Sequence, residues 1–405
     1  MVAMQERWKV VAGALLIQLS LGAIYSWSVF VKPLEDNLSY TRTQTQIIFS
    51  LALASFALVM IFAGRWQDRV GPRRVASAGG IVLGLGYVLA SMTDGSFLSI
   101  AASVGLIGGA GIGLGYVCPI AACVKWFPDR RGMISGLAVA GFGAGAWIFA
   151  KLGAKLIASE GVLTTFLYFG IIFFITVVLG AQLLRNPPAG YRPQGWAPPE
   201  KSSAKNMAGD DFGWREMLRT RQYWILWAAF MFGAAAGLMV IGNLKPFGQY
   251  SGLSADVATN AVGVLALANG AGRIVWGTLS DRLGRTRAMS LMFLLQGIMM
   301  LFLVRMGGSP YLLSVAAAWV GFNFGGNFSL FPSATADYFG TKNVGINYGL
   351  VFTSYGVAGI IGPILGGQVY DVTGSYLWAF IPAGVLCVLA AVLSTFLKRP
   401  EKVRL

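Results

Sequence analysis

Histidine is absent from the chain, and charged residues make up only 12% of its 405 positions. The missing imidazole removes the commonest metal ligand and the commonest proton shuttle near neutral pH. The charged fraction is about half that of an ordinary aqueous domain, which argues against a soluble globular protein. Cysteine is scarce as well. Cys118, Cys123 and Cys387 all fall in apolar stretches, and their spacing describes neither a disulfide framework nor a metal cluster. Acidic residues are missing from one particular place. Glu35, Asp36, Asp68, Asp94, Asp129, Glu160, Asp256, Asp281, Asp337 and Asp371 stand at the ends of apolar stretches or between them, and none stands in the middle of one. An enzyme site needs convergent nucleophiles, acids or metal ligands. Without His and without an acid in mid-stretch, enzymatic chemistry is not expected, nor is a cofactor or metal.

Hydrophobic residues, in contrast, make up 56% of the chain, and they recur in runs of about twenty, the length of a membrane-spanning helix. Twelve spans are expected, at 8–31, 44–64, 75–92, 96–124, 131–151, 161–184, 221–248, 255–277, 287–306, 310–337, 344–369 and 374–397. A lone strand cannot satisfy its backbone in lipid, and the ten-residue alternation of a membrane β-barrel is nowhere present. The fold class read from the pattern is therefore an all-α membrane protein. The first span is too long for a typical signal-peptide core and lacks a small-residue cleavage site, so it is read as retained.

A net charge of +15 invites a nucleic-acid reading, but the placement of the charge answers it. Lys32, Arg42, Lys151, Lys155, Lys245 and Arg305 fall on one side of the expected membrane, Arg273 falls within a span, and the remaining Lys and Arg lie on the side carrying both termini. That bias is the positive-inside rule, so both termini are expected in the cytoplasm and no nucleic-acid partner is expected. The lipid bilayer is the partner the composition requires.

Residues 185–220, rich in Pro, Gly, Ser and charge, read as a cytoplasmic linker ending in a short interfacial helix around Trp214–Leu218. It separates an N-terminal six-helix bundle, 1–184, from a C-terminal one, 221–405. The halves echo each other. GRWQDRVGPRR runs from Gly64 to Arg74 and GTLSDRLGRTR from Gly277 to Arg287, an offset of 213 residues, and the same offset relates Lys32-Pro33 to Lys245-Pro246. Two landmarks at one displacement imply parallel repeats about an axis along the membrane normal, an arrangement that places a binding site between halves near the midplane. Asp68 and Asp281 can pair with nearby Arg residues and favour helix N-termini. The glycine-dense runs 105–117 and 136–146 lie inside apolar spans, so close helix packing explains them better than phosphate binding.

Arg273 is the main charge inside the expected membrane. An Arg at a helix centre costs about 2.5–3.5 kcal/mol on insertion scales. Snorkelling to the nearby cytoplasmic end is the bland explanation. Function is favoured, because Asn269 lies one turn earlier on the same face and a guanidinium takes a carboxylate through two parallel hydrogen bonds. With no acid in mid-span, its negative partner is read as a bound organic anion. Aromatics complete the expected pocket: Tyr25, Tyr116 and Phe142 in the first half, Phe324, Phe328, Phe352 and Tyr355 in the second.

The duplicated G-x-x-x-D-R-x-G-R-R-like loop resembles that of the major facilitator superfamily, with Pro72 standing where the first copy would carry Arg. The resemblance covers the whole twelve-helix plan. It implies a conformational-coupling role for Gly64, Asp68, Arg69, Arg73, Gly277, Asp281 and Arg282. The segments QYWILWAAF, NGAGRIVWGTLSDRLGR, FPSATADYFG, INYGLVFTSYG and KWFPDRRG further resemble the oxalate/formate antiporter family, which is similar to the monocarboxylate transporters, including bacterial lactate carriers. In the oxalate carrier two cations clamp a dicarboxylate. Arg273 matches the one in the eighth helix, but Tyr355 stands where the eleventh helix carries the other. Phe324 and Phe352 match tryptophans of its cage, Phe142 one of its tyrosines, and Tyr25 and Tyr116 its retained tyrosines. One buried cation neutralises one carboxylate, and a second negative charge without a partner is severely penalised. The implied substrate is a monocarboxylate: L-lactate first, then pyruvate, glycolate, formate or acetate. Animal monocarboxylate transporters carry an Asp, implicated in proton coupling, at the position of Asn269, which cannot titrate. Proton symport by a monomer in the plasma membrane is the expected mode, with the proton as second partner. Anion exchange of the oxalate/formate type is the alternative.

Overall fold

Helix length is set by the medium. A helix of 20–30 residues runs about 30–45 Å, which matches or exceeds the roughly 30 Å of hydrocarbon it must cross. The computed structural model of the chain describes residues 2–188, 190–193 and 211–401. Among these there is no strand, and twelve long helices account for the twelve apolar stretches. Helices α1 (Val2–Leu21), α2 (Ser28–Leu38), α3 (Arg42–Val70), α4 (Pro72–Ser91), α5 (Phe97–Ile100), α6 (Gly109–Trp126), α7 (Arg131–Glu160) and α8 (Val162–Gln182) precede the linker. The short α9 (Trp214–Leu218) lies at its end, where the sequence pattern places a short helix. Then come α10 (Arg221–Tyr250), α11 (Ala255–Leu283), α12 (Arg285–Met306), α13 (Pro310–Phe339), α14 (Val344–Thr373) and α15 (Leu377–Thr395). Half of the linker, residue 189 and residues 194–210, lies outside the described residues.

Eleven of the described helices are long and apolar enough to cross a membrane on composition alone. The long helix that falls short, α13, carries Asn323, Asn327, Ser329, Ser333 and Thr335, all buried. Its polarity faces protein, which is where polar groups in a membrane helix are tolerated.

Two of the expected spans are not continuous helices. The first breaks into a 3-10 turn at Gly22–Ser26 before α2 begins. A Cβ on Gly22 would fall on the carbonyl of Phe142, and Ser26 Oγ donates to the Ala23 carbonyl at 2.7 Å, satisfying an acceptor within the turn. The fourth widens to π-helix over Ala101–Gly108, between α5 and α6. Neither break leaves a mark on hydrophobic periodicity.

The chain divides into two compact units. The first holds Met1–Pro128, Ala138–Trp196 and Lys342–Leu350; the second holds Asp129–Leu137, Ala197–Thr341 and Val351–Leu405. The opening turns of α7 thus belong with the second unit and those of α14 with the first. In the first unit α4 lies against α8 and α6, and α3 against α6. Glycines set the spacing: a Cβ on Gly109 would strike the Ala52 carbonyl, one on Gly111 the backbone of Leu83, and one on Gly79 the backbone of Gly115. The glycine-dense run of the fourth span is therefore a packing surface, as its spacing predicts. In the second unit α11 and α13 cross just as closely. Gly272 meets the Phe322 carbonyl, Gly321 that of Leu265 and Gly325 that of Asn269, and this crossing fixes the backbone beneath Asn269 and Arg273.

Candidate functional site: a buried arginine among aromatic rings

In the second unit, α11 presents Asn269 and Arg273 one turn apart. Arg273 is 0% exposed, so its head does not snorkel to water. Its Nε donates to Asn269 Oδ1 at 2.9 Å, and its guanidinium carbon lies 4.4 Å from the centre of the Phe328 ring. The amide fixes the rotation of the planar group, and the ring face stabilises its charge, an interaction that strengthens away from water. Phe328 is held in turn by Phe324 (5.3 Å between centroids, edge-on) and Tyr355 (5.5 Å, edge-on), and Phe352 sits 4.8 Å from Tyr355. The six residues predicted in this half form one connected constellation. Sequence reasoning missed Phe230 on α10, which stacks on Phe331 at 4.2 Å and also touches Phe328, Phe352 and Tyr355. A lone Phe in an apolar run carries no signal of such a contact. Asn323 was missed too; it accepts from Trp276 Nε1 at 3.1 Å.

The first unit gathers the three remaining binding candidates. Phe142 on α7 lies between Tyr25, 5.0 Å away on the 3-10 turn, and Tyr116 on α6, 5.7 Å away, both edge-on. Phe56 closes the group against Tyr116 at 5.0 Å. Gln18 on α1 donates from Nε2 to the Tyr116 carbonyl at 3.3 Å. Its Oε1 is buried without a hydrogen-bond partner among the described residues, a polar atom the sequence reading did not single out.

The duplicated loops do related work in their own units. Within the first, Asp68 accepts from the Ile346 and Gly345 amides, at 3.0 and 3.4 Å, at the start of α14. Lys125 Nζ stands 3.5 Å away. Within the second, Asp281 accepts from the Gly132 and Met133 amides, both at 2.8 Å, at the start of α7. Each carboxylate caps a helix N-terminus, where four donors lack intrahelical partners and the dipole favours negative charge. The capped helix is remote in sequence, which the local pattern does not reveal. The motif glycines stand one turn earlier at the same crossings: a Cβ on Gly64 would strike the Gly345 carbonyl, and one on Gly277 that of Gly132.

Charge is unequal between the copies. Arg285 pairs with Asp281 at 2.8 Å and with Asp337 at 2.7 Å, and Arg131 pairs with Asp337 at 2.7 Å. The position equivalent to Arg285 in the first copy is Pro72, which has no charge to give. Arg73 turns instead to Gln182, its Nε 2.7 Å from Oε1. Arg69 and Arg282 are exposed and join neither network among the described residues. Lys125, Arg131, Arg285 and Asp337 lie inside quoted motifs, but only the three-dimensional pairing singles them out.

The model of the Major Facilitator Superfamily matches residues 13–254 and 234–405. An uncharacterized MFS-type transporter, YhjX, of Escherichia coli (strain K12) is 33% identical over 88% of this chain and 86% of its own. The oxalate:formate antiporter of Oxalobacter formigenes is 33% identical over 96% of this chain and 91% of its own. The apicoplast pyruvate carrier 1 of Toxoplasma gondii is 27% identical over 76% of this chain and 66% of its own. The crystal structure of the transporter FucP in the outward conformation superposes with a TM-score of 0.70 at 16% identity, over 97% of this chain and 99% of that one, a likeness of fold. With twelve long helices, a duplicated loop and a family match across almost its whole length, the chain belongs to the Major Facilitator Superfamily and is a multi-pass membrane transporter.

Proposed function

We propose that the chain is a secondary active carrier of small monocarboxylate anions, L-lactate foremost and pyruvate-like acids after it, working by proton symport and alternating access. The observation that carries this reading is the Arg273 guanidinium: wholly buried, turned by Asn269 and backed by Phe328. A planar cation held in one orientation suits a carboxylate taken through two parallel hydrogen bonds. The surrounding phenylalanines suit a short apolar tail, and the hydroxyls of Tyr25, Tyr116 and Tyr355, with the Asn269 amide, suit an α-hydroxyl or carbonyl oxygen. Tyr355 supplies no second cation, so a monoanion is favoured over a dianion. The pyruvate carrier and the oxalate:formate antiporter among its relatives support small organic acids as the substrate class.

In the cycle, substrate must stabilise one conformation more than the other, because a ligand with equal affinity for both drives nothing. Gly64, Asp68, Arg69, Arg73, Gly277, Asp281 and Arg282 are the residues through which the six-helix halves rock. Neutralising the substrate's charge as Arg273 rearranges with a tyrosine or water links the proton to transport. The Lys and Arg bias supports cytoplasmic termini and a plasma-membrane location. The carrier works as a monomer.

Exchange of one anion for another is the second reading. Asn269 in place of a titratable acid favours it, as does the relative named an oxalate:formate antiporter. Proteoliposomes decide between them. Labelled L-lactate uptake that rises with an imposed inward proton gradient supports symport. Uptake that ignores the gradient and needs an internal anion establishes exchange. No uptake of any small monocarboxylate overturns the substrate class.

A further inference from the structure

A cavity of about 1070 Å³ opens in the first unit, at the junction of the end of α3, the Gly71 turn, the first turns of α4 and the end of α8. Four guanidinium groups line it, from Arg69, Arg73, Arg74 and Arg185, and no carboxylate does. Arg185 is paired with Glu6. None of the ion pairs among the described residues engages the other three. All four arginines are exposed and the hollow is open on one side; what distinguishes it from a loop of topogenic charge is that its wall orients one of those arginines.

Arg73 is held rather than free. Gln182 accepts from its Nε at 2.7 Å and from a terminal nitrogen. The same amide donates to the Val178 carbonyl at 2.9 Å and to Ser77 Oγ at 3.3 Å, which fixes which way it points. An arginine oriented in this way gives up little rotamer freedom when an anion arrives. The lining is also partly apolar, with Val70, Ile81 and Leu184. From Ile81 an exposed apolar stripe continues along α4 through Leu85 and Leu89 at helical spacing, 43%, 51% and 44% exposed. In a membrane protein that stripe is lipid-facing.

We propose that this cavity binds the phosphate of an anionic phospholipid, with the acyl chain lying along Ile81, Leu85 and Leu89. Basic pockets at the ends of membrane helices suit such headgroups, and arginine forks suit phosphate oxygens. The apolar continuation separates a lipid from a free phosphate, because a small soluble anion gains nothing from the stripe. The inference does not depend on the transported substrate.

Native mass spectrometry of the full chain, released from bilayers of phosphatidylcholine mixed with phosphatidylglycerol, tests it. Retained phosphatidylglycerol is expected in about tenfold excess over its share of the bilayer, a difference worth about 1.4 kcal/mol. The combined R69Q, R73Q and R74Q variant is expected to lose that excess. Should it fail to fold, Q182L keeps every charge, frees Arg73 and is expected to lower the excess severalfold. Equal retention of both lipids by the unaltered protein, or an excess that survives all these changes, overturns the proposal. A thermal-shift series with phosphatidylglycerol, glycerol phosphate and inorganic phosphate separates the sources. Stabilisation by the lipid alone supports it, and equal stabilisation by a soluble phosphate overturns the lipid assignment.

Discussion

Arg273 is where the chemistry of the chain concentrates. Replacing it with Lys keeps the charge but loses the fork, and replacing it with Ala loses both. Hydrogen bonds to charged groups are worth about 1.5–3 kcal/mol, so R273K is expected to lower the kcat/KM of lactate uptake by at least about tenfold and R273A further. Initial-rate uptake in proteoliposomes measures both, with tryptophan fluorescence confirming that each variant folds. Wild-type uptake by R273A would remove the proposed anchor. Tyr355 sets the second test. Y355K supplies a second cation beside a ring cluster that now serves one charge, so competition by oxalate against labelled lactate is expected to strengthen by about tenfold or more, following the charge-pairing rule for buried ions. Arg273, Asn269 and the aromatic positions were legible because each breaks or decorates an apolar pattern. Phe230 and Gln18 were not, since one is an ordinary Phe in a Phe-rich chain and the other matters only through the groups packed around it.

At the scale of elements, the two Asp-capped crossings are the devices the structure adds to the motif. D281N keeps the shape but lowers the charge offered to the Gly132 and Met133 amides and to Arg285, and D337N leaves Arg131 and Arg285 without their shared carboxylate. Each is expected to cost about 1–3 kcal/mol, seen as a lower thermal midpoint of the detergent-solubilised protein. D337N is expected to cost more than D68N, because Asp68 faces one Lys at 3.5 Å while Asp337 joins two Arg at 2.7 Å. The turn between α2 and α3 offers a pH test. Tyr40 Oη donates to the Gly95 carbonyl at 2.8 Å. Burial, and then the Asp94 charge, push its pKa up to about 12. The folded state therefore favours the neutral phenol. That contribution is complete below the unfolded value near 10 and is lost as pH rises from there to about 12. Y40F is expected to flatten the fall of the thermal midpoint across that window and to leave it unchanged in shape below pH 9. The helices and their number were legible in the sequence. The 3-10 turn at Tyr25 and the π-helical stretch after α5 were not, because both lie inside long, mostly apolar runs whose hydropathy does not distinguish one helical hydrogen-bonding pattern from another.

For the molecule as a whole, the prediction concerns coupling. With no imidazole anywhere and no acid in the middle of a span, few groups can carry the proton. Lactate uptake is expected to follow the proton gradient, and N269D is expected to make its pH dependence steeper by adding a titratable partner beside Arg273, measured as uptake rate against external pH. The regrouping of the helices also belongs to this scale. The opening turns of α7 pack with the second unit and those of α14 with the first. No linear pattern announces this, since hydropathy reports which residues leave water and not which neighbour they meet.

The sequence by itself determined the membrane, the helices and the duplication, because hydrocarbon thickness and an unsatisfied backbone leave few alternatives for runs of this length and polarity. It also marked Arg273 as anomalous, because an ionised group in such a run is costly. Tertiary structure decided what that charge rests on, which carboxylate caps which distant helix, and why Arg285 has a full network while Pro72 in the equivalent place has none. Those outcomes depend on close crossings between remote helices, permitted by Gly64, Gly132, Gly277 and Gly345 at the capped helices and by Gly272, Gly321 and Gly325 beneath Arg273. Such a crossing is a property of two surfaces together, and one-dimensional periodicity describes only one of them at a time.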